Sequence, residues 1–201
     1  MNGVIFDADG TLLDSMWYWD ELVYELIGEY GKLPHAEGVV DELVPMSMRE
    51  GSLYLCSRYG MEISPDELIE LERERSFEFY KHRVTLRSGV YDCIQGLSKR
   101  GIPMAVASAT DRYMIEAALK FTGIFSYMSD ILSCSDIGKG KEYPDIFINA
   151  CKSTNTSIEN TVVVEDSLTA LETARRAGFM TVRVTDNQDM LSDILSHFNS
   201  I

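Results

Sequence analysis

The chain opens with a short apolar run, Val4-Ile5-Phe6, that passes directly into Asp7-Ala8-Asp9-Gly10-Thr11-Leu12-Leu13-Asp14. A strand buried on both faces reads as a continuous apolar segment, so acids belong at its end and not within it. Strand alternation sends Asp7 and Asp9 to one side and Ala8 to the other. The carboxyl ends of such strands are where open α/β sheets take up ligands. Taken alone, Asp-Gly-Thr also fits an ordinary turn, since Asp and Gly are common turn residues.

The rest of the chain decides what that first strand joins. Between about residues 15 and 85 nothing reads as a strand. Met16 to Tyr30 carries Trp19, Leu22, Val23, Leu26, Ile27 and Tyr30 at helical spacing, with Gly31 as a stop. Ser47-Met48-Arg49-Glu50 is a capping-box pattern for a helix ending near Gly60, and Ser64-Pro65-Asp66-Glu67 is another, for a helix towards Arg83. After Gly89 the pattern becomes strand–helix alternation. Strands are expected at Met104 to Ala107, Asp130 to Leu132, Thr161 to Val164 and Thr181 to Val184. Helices are expected through Cys93 to Arg100, Asp111 to Thr122, Pro144 to Lys152 and Ser167 to Ala177. Met190 to Phe198 is too short to assign. Alternation of this kind implies an α/β fold, a parallel sheet with helices on both faces. The core is then discontinuous, residues 1–14 and 86–201, interrupted by an all-helical segment over residues 15–85.

Composition narrows the function. With 201 residues, 45% hydrophobic and 25% charged, the chain is that of an ordinary soluble globular protein. No apolar stretch approaches the roughly 20 residues of a membrane span, and no signal peptide is visible. A net charge of −14 argues against nucleic acid, whose phosphates demand clustered Lys and Arg. A small phosphorylated partner stays open, provided attraction is local. Cys56, Cys93, Cys134 and Cys151 have no metal-ligand spacing and read as free thiols of a reducing, cytoplasmic compartment. No heptads or exposed apolar edge argue for a firm assembly, so a monomer or weak homo-oligomer is expected.

Three later strand ends carry chemistry as well: Ser108 in Ala107-Ser108-Ala109-Thr110, Lys141 ahead of Pro144-Asp145, and Glu165-Asp166. With Asp7 to Thr11, these four motifs in this order and spacing resemble the haloacid dehalogenase superfamily in its capped phosphatase branch, across nearly the whole chain. The resemblance implies a Rossmann-like core with an inserted helical cap, and Mg2+-dependent hydrolysis of a small phosphomonoester, a sugar or polyol phosphate. It assigns Asp7 as nucleophile, forming an aspartyl-phosphate, and Asp9 as the acid and base, with its backbone carbonyl on the metal. Asp7, Asp9 and Asp166 would hold the metal, with Glu165 behind them. Ser108, Ala109, Lys141 and Thr11 would bind the phosphoryl group. Crowding supports a cation: two carboxylates about 4 Å apart repel by roughly 4 kcal/mol at an effective dielectric near 20, and Mg2+ is bound by a few carboxylates plus substrate phosphate.

The family often has Pro directly after the Lys of the third motif, where this chain has Glu142, so Lys139 remains a rival to Lys141. Asp9 favours phosphoester chemistry, because dehalogenase branches have no acid there. β-Phosphoglucomutases share every core motif but carry a histidine where this chain has Trp19, which ranks an isomerase second. A non-catalytic binding protein of the same fold is a third reading. In the helical segment, Trp17 and Trp19 are candidates for substrate contact or for plain packing. Arg49 fits either a polar contact to substrate or a solvated helix surface.

Overall fold

The structure is a computed structural model describing residues 2–43, 46, 48–186 and 188–198. The chain divides into two compact units, Met1–Asp14 with Tyr80–Ile201, and Ser15–Phe79.

The first unit is built on a five-stranded parallel sheet. Its strands are β1 (Gly3–Phe6), β4 (Met104–Ser108), β5 (Met128–Ser133), β6 (Thr161–Glu165) and β7 (Met180–Arg183), ordered β5-β4-β1-β6-β7. β1, β4 and β6 are buried along their whole length, as the unbroken apolar runs require. Alternate side chains serve opposite faces. Ile5, Ala105, Ala107 and Val163 join a cluster with Ile146, Phe147, Ala150, Ala170 and Ala174. Those partners lie on α8 (Asp145–Ser153) and α9 (Leu168–Arg176). Helices α5 (Val90–Lys99), α6 (Arg112–Phe121) and α10 (Met190–Phe198) complete the cover, with the four-residue α7 (Cys134–Ile137) after β5. α10 is the segment that sequence left unassigned.

The chain leaves β1 through a tight loop. Ala8 C=O accepts from the N–H groups of Thr11, Leu12 and Leu13, and Gly10 closes the turn at φ 77°, a conformation that glycine adopts without penalty. A two-stranded antiparallel ribbon follows: β2 (Leu13–Asp14) pairs with β3 (Thr85–Leu86), Leu13 opposite Leu86. The departing and returning segments are thereby tied together, although neither two-residue strand could show a period in the sequence.

The second unit is helical: α1 (Met16–Tyr30), α2 (Val39–Leu43), α3 (Met48–Tyr59) and α4 (Pro65–His82), the last running on into the first unit. The expected capping box at α4 is present, Ser64 N–H donating to Glu67 Oε2 at 3.0 Å and Glu67 N–H to Ser64 Oγ at 3.2 Å. Ser47, expected to cap α3, lies outside the described residues. Leu22, Leu26, Leu55, Tyr59 and Leu68 are buried, and Tyr18 stacks face to face on Phe79 at 3.9 Å. Among the described residues no helix is long and apolar enough to cross a membrane.

Candidate active site

Sheet order decides where the chemistry gathers. The chain moves from β1 to β4 on one side and later returns to place β6 on the other, so the order reverses between β1 and β6. The crevice beyond the strand ends at such a reversal is the usual ligand site of a doubly wound sheet. The register pairs Phe6 with Val164, and Asp7 N–H donates to Val164 C=O at 2.9 Å. Asp7 therefore stands beside Glu165 and Asp166 because both strands end together.

Asp7 and Glu165 are buried, Asp166 is half-buried, and one ligand oxygen from each lies within 4.8 Å of the others. Lys141, from the loop before α8, reaches in to bond Asp7 and lies 3.2 Å from Glu165. Burial raises the Asp7 carboxyl above its ordinary range, with Lys141 opposing and Asp166 reinforcing. Burial and then the Asp7 charge push Glu165 up to about 9, against the pull of Lys141. Asp166 is also raised, first by burial. For Lys141, burial works against the charged form, but Asp7 and Glu165 outweigh it and hold the ammonium protonated.

Asp9 faces different company. Tyr80 Oη donates to its Oδ1 at 2.5 Å and Thr110 Oγ1 to its Oδ2 at 2.7 Å. Thr110 N–H in turn donates to the buried Ser108 Oγ at 3.0 Å, so the Ser108 hydroxyl oxygen orders the loop that carries Thr110. Ala109 is exposed beside it.

The side-chain cluster comprises Asp7, Glu165 and Asp166, while the Asp9 carboxyl, which the expected ligand set does not use, is bonded by Tyr80 and Thr110. Thr11 is fully buried, and its hydroxyl has no hydrogen-bond partner among the described residues. Lys139 pairs with Asp145 at 2.7 Å on the surface, so the lysine among the carboxyls is Lys141. In the helical unit Trp17 packs edge-on against Phe79, Trp19 lies edge-on to Tyr18, and Arg49 pairs with Asp66 at 2.8 Å in solvent. Sequence reasoning gave no role to Tyr80 or Thr110. Tyr80 lies 71 residues from Asp9, and no local pattern announces it.

A parallel sheet with a reversed strand order and acids at its β1 and β6 ends defines a doubly wound α/β core with an acidic site at its switch point. A family model described as haloacid dehalogenase-like hydrolase matches residues 1–178. The chain belongs to this family. It is similar to the phosphorylated carbohydrates phosphatase of Thermotoga maritima, 25% identical over 89% of this chain and 82% of that one. It is also similar to the pyrophosphatase PpaX of Oceanobacillus iheyensis, 25% identical over 90% and 82%. In fold it matches the Rhodobacter sphaeroides CbbY solved in complex with phosphate, with TM-score 0.76, 22% identity, and 94% and 90% coverage.

Proposed function

We propose that this hydrolase is a phosphatase acting on a small phosphomonoester, a sugar or polyol phosphate, with Asp7 as the nucleophile. The observation that carries the reading is the meeting of a buried carboxylate on one strand end with a partly buried lysine and two acids from the neighbouring strand end. Names of similar proteins, phosphatases for sugars and for other phosphorylated compounds, support the reaction class. Trp19, where the mutases carry histidine, keeps the isomerase second.

The donor set fits a hard divalent cation, since every donor is a carboxyl oxygen and the oxygens lie within reach of one ion. Asp7, Asp166 and the backbone carbonyl of Asp9 would hold Mg2+, with Glu165 behind them; the ion when bound offsets the charge of the phosphoryl group and of the carboxylates around it. An Asp7 oxygen attacks phosphorus and the bond to the ester oxygen breaks, while Asp9 gives that leaving oxygen a proton. Asp9 then takes a proton from water as the water oxygen attacks phosphorus. The Asp7–phosphorus linkage breaks and inorganic phosphate leaves. Lys141 keeps Asp7 oriented and meets the added negative charge. Ser108, Ala109 and Thr11 are assigned to the phosphoryl oxygens. The helical insertion is assigned as a cap that supplies selectivity, on the strength of its place in the chain directly after the first motif. All four cysteines are unpaired, which supports a reducing, cytoplasmic setting.

The test is phosphate release from a panel of sugar phosphates, polyol phosphates, phosphoglycolate and nucleotides, with Mg2+ or with chelator. Release that requires Mg2+ and vanishes in Asp7→Asn is expected. Turnover by Asp7→Asn equal to the parent, or no release from any ester, would overturn the reading.

A further inference from the structure

Local structure fixes the backbone of Asp9: the Ala8 to Leu13 loop sets where the Cα stands. Two hydroxyls from distant segments bond its carboxyl. Tyr80, the first residue of the returning core segment, is 0% exposed, so its phenol oxygen is withheld from water. A buried phenol must find a partner inside the protein, and the distance to Asp9 Oδ1 is 2.5 Å. Thr110 takes the other oxygen at 2.7 Å, and is itself anchored through its N–H on Ser108. One donor on each oxygen fixes both the position and the plane of the carboxyl group.

The chemistry of the two donors matters as much as their geometry. Lysine and arginine only donate, so they favour the ionised carboxylate and cannot accept from the O–H of a carboxylic acid. A hydroxyl donates or accepts by rotation. The same pair can therefore hold Asp9 when it is ionised and, by turning one O–H away, accept from it when it is protonated. A residue that must carry a proton to a leaving group and then collect one from water requires a holder of this kind. Asp7, which keeps one role, has a lysine instead.

We propose that Tyr80, together with Thr110, is the positioning residue that aims Asp9 at the ester oxygen. The inference rests on the reading of Asp9 as the proton carrier. It goes beyond that reading in assigning the aim of Asp9 to a tyrosine at the start of the returning core segment.

The test is the leaving-group dependence of kcat/KM, which reports the first transfer, in the Mg2+-loaded enzyme. Parent, Tyr80→Phe and Thr110→Val are compared on 4-nitrophenyl phosphate, phenyl phosphate and a simple alkyl phosphate. A nitrophenolate leaves without help, whereas an alkoxide must be protonated. Positioned acid catalysis contributes roughly 100- to 10,000-fold. Both variants should therefore lose about tenfold or more on the alkyl ester, with the loss shrinking steadily towards 4-nitrophenyl phosphate. KM should move little. Thermal melts close to the parent's confirm folding, and Thr110→Val carries the test if Tyr80→Phe folds poorly. A loss of equal size on all three esters, or none, overturns the proposal. Asp7→Asn, run alongside, separates the two layers: inactive with a flat Tyr80→Phe profile, it leaves the phosphatase reading standing and removes only this one. Full activity in Asp7→Asn removes both.

Discussion

Carboxyl groups are withdrawn from water in two parts of this molecule, fully in one and partly in the other, and what surrounds them differs. At the ends of β1 and β6, Asp7 and Glu165 share the partly buried Lys141, with Asp166 beside them. In the helical unit, Glu72 on α4 has a serine: its Oε2 lies 3.2 Å from Ser52 Oγ. Burial pushes Glu72 up to about 7, and the Ser52 contact offsets this only in part. Ser52 also donates to Met48 C=O at 2.8 Å, and a hydroxyl has one proton to give. Both parts have shifted carboxyls, so burial alone does not mark a functional site. The distinguishing feature is convergence of several charged groups of both signs, placed by strands whose register fixes them.

The largest expected effect breaks the comparison on the strand-end side. Asp7→Asn keeps the shape of the side chain and removes the nucleophile. Phosphate release should fall by roughly 10⁴-fold or more, the order seen when a covalent nucleophile is lost. Phosphate assays with purified variant measure it. A smaller effect on turnover but a larger one on stability is expected from Lys141→Met. Taking one partner from a buried ion pair costs about 3 kcal/mol or more, because the other charges stay behind. Urea unfolding should show that loss at pH 7, and Mg2+ should restore part of it by binding only the folded carboxyl cluster. If Lys141→Met were as stable as the parent, the cluster would not be the compact arrangement described.

Why these strand-end residues were readable and others were not has a physical answer. Val4-Ile5-Phe6 and Val162-Val163-Val164 are apolar without interruption because helices cover both faces, so the positions where acids first appear mark the strand ends. Glu165 could be named but not ranked, since only the register that sets Phe6 against Val164 brings it level with Asp7. The division between units was hidden for the opposite reason. α4 keeps one helical period from Pro65 to His82, while the compact helical unit ends within it, at Phe79. Tyr80 therefore looks like any other helical aromatic, and its bond to Asp9 depends on a chain path that no local pattern encodes. The β2–β3 ribbon was illegible because two residues a side carry no alternation.

Glu72 offers the means to sharpen the comparison from the helical side. Its carboxyl titrates near 7 in the folded protein against an ordinary value of 4.5. Between those values the folded state binds the extra proton, so stability falls as pH rises from about 4.5 to about 7 and levels off above. Glu72→Gln removes the titration while keeping a hydrogen-bonding group. Relative to the parent it should gain on the order of 2 kcal/mol at pH 8 and nothing at pH 4. Urea unfolding across that range measures the difference. A variant whose stability tracks the parent's at every pH would mean that Glu72 is solvated, and the contrast between the two sites would lose one side.

The smallest effect is expected at Lys139, and it bears directly on which lysine serves the site. Lys139 and Lys141 are two residues apart, and sequence alone leaves them as rivals. In the fold they part company: Lys141 turns in among the carboxyls, while Lys139 lies half-exposed on the surface against Asp145. Exposed pairs of this kind contribute little, since water screens the attraction and two flexible side chains must be ordered to form it. The Lys139 ammonium also sits 5.5 Å from the Tyr143 ring centre, a further surface contact. Lys139→Ala should accordingly leave kcat/KM and the melting temperature within error of the parent, in the same assays that register Lys141→Met. Should Lys139→Ala lose activity while Lys141→Met keeps it, the loop before α8 would have to present the other lysine, and the charge balance drawn for Asp7 and Glu165 would fall with it.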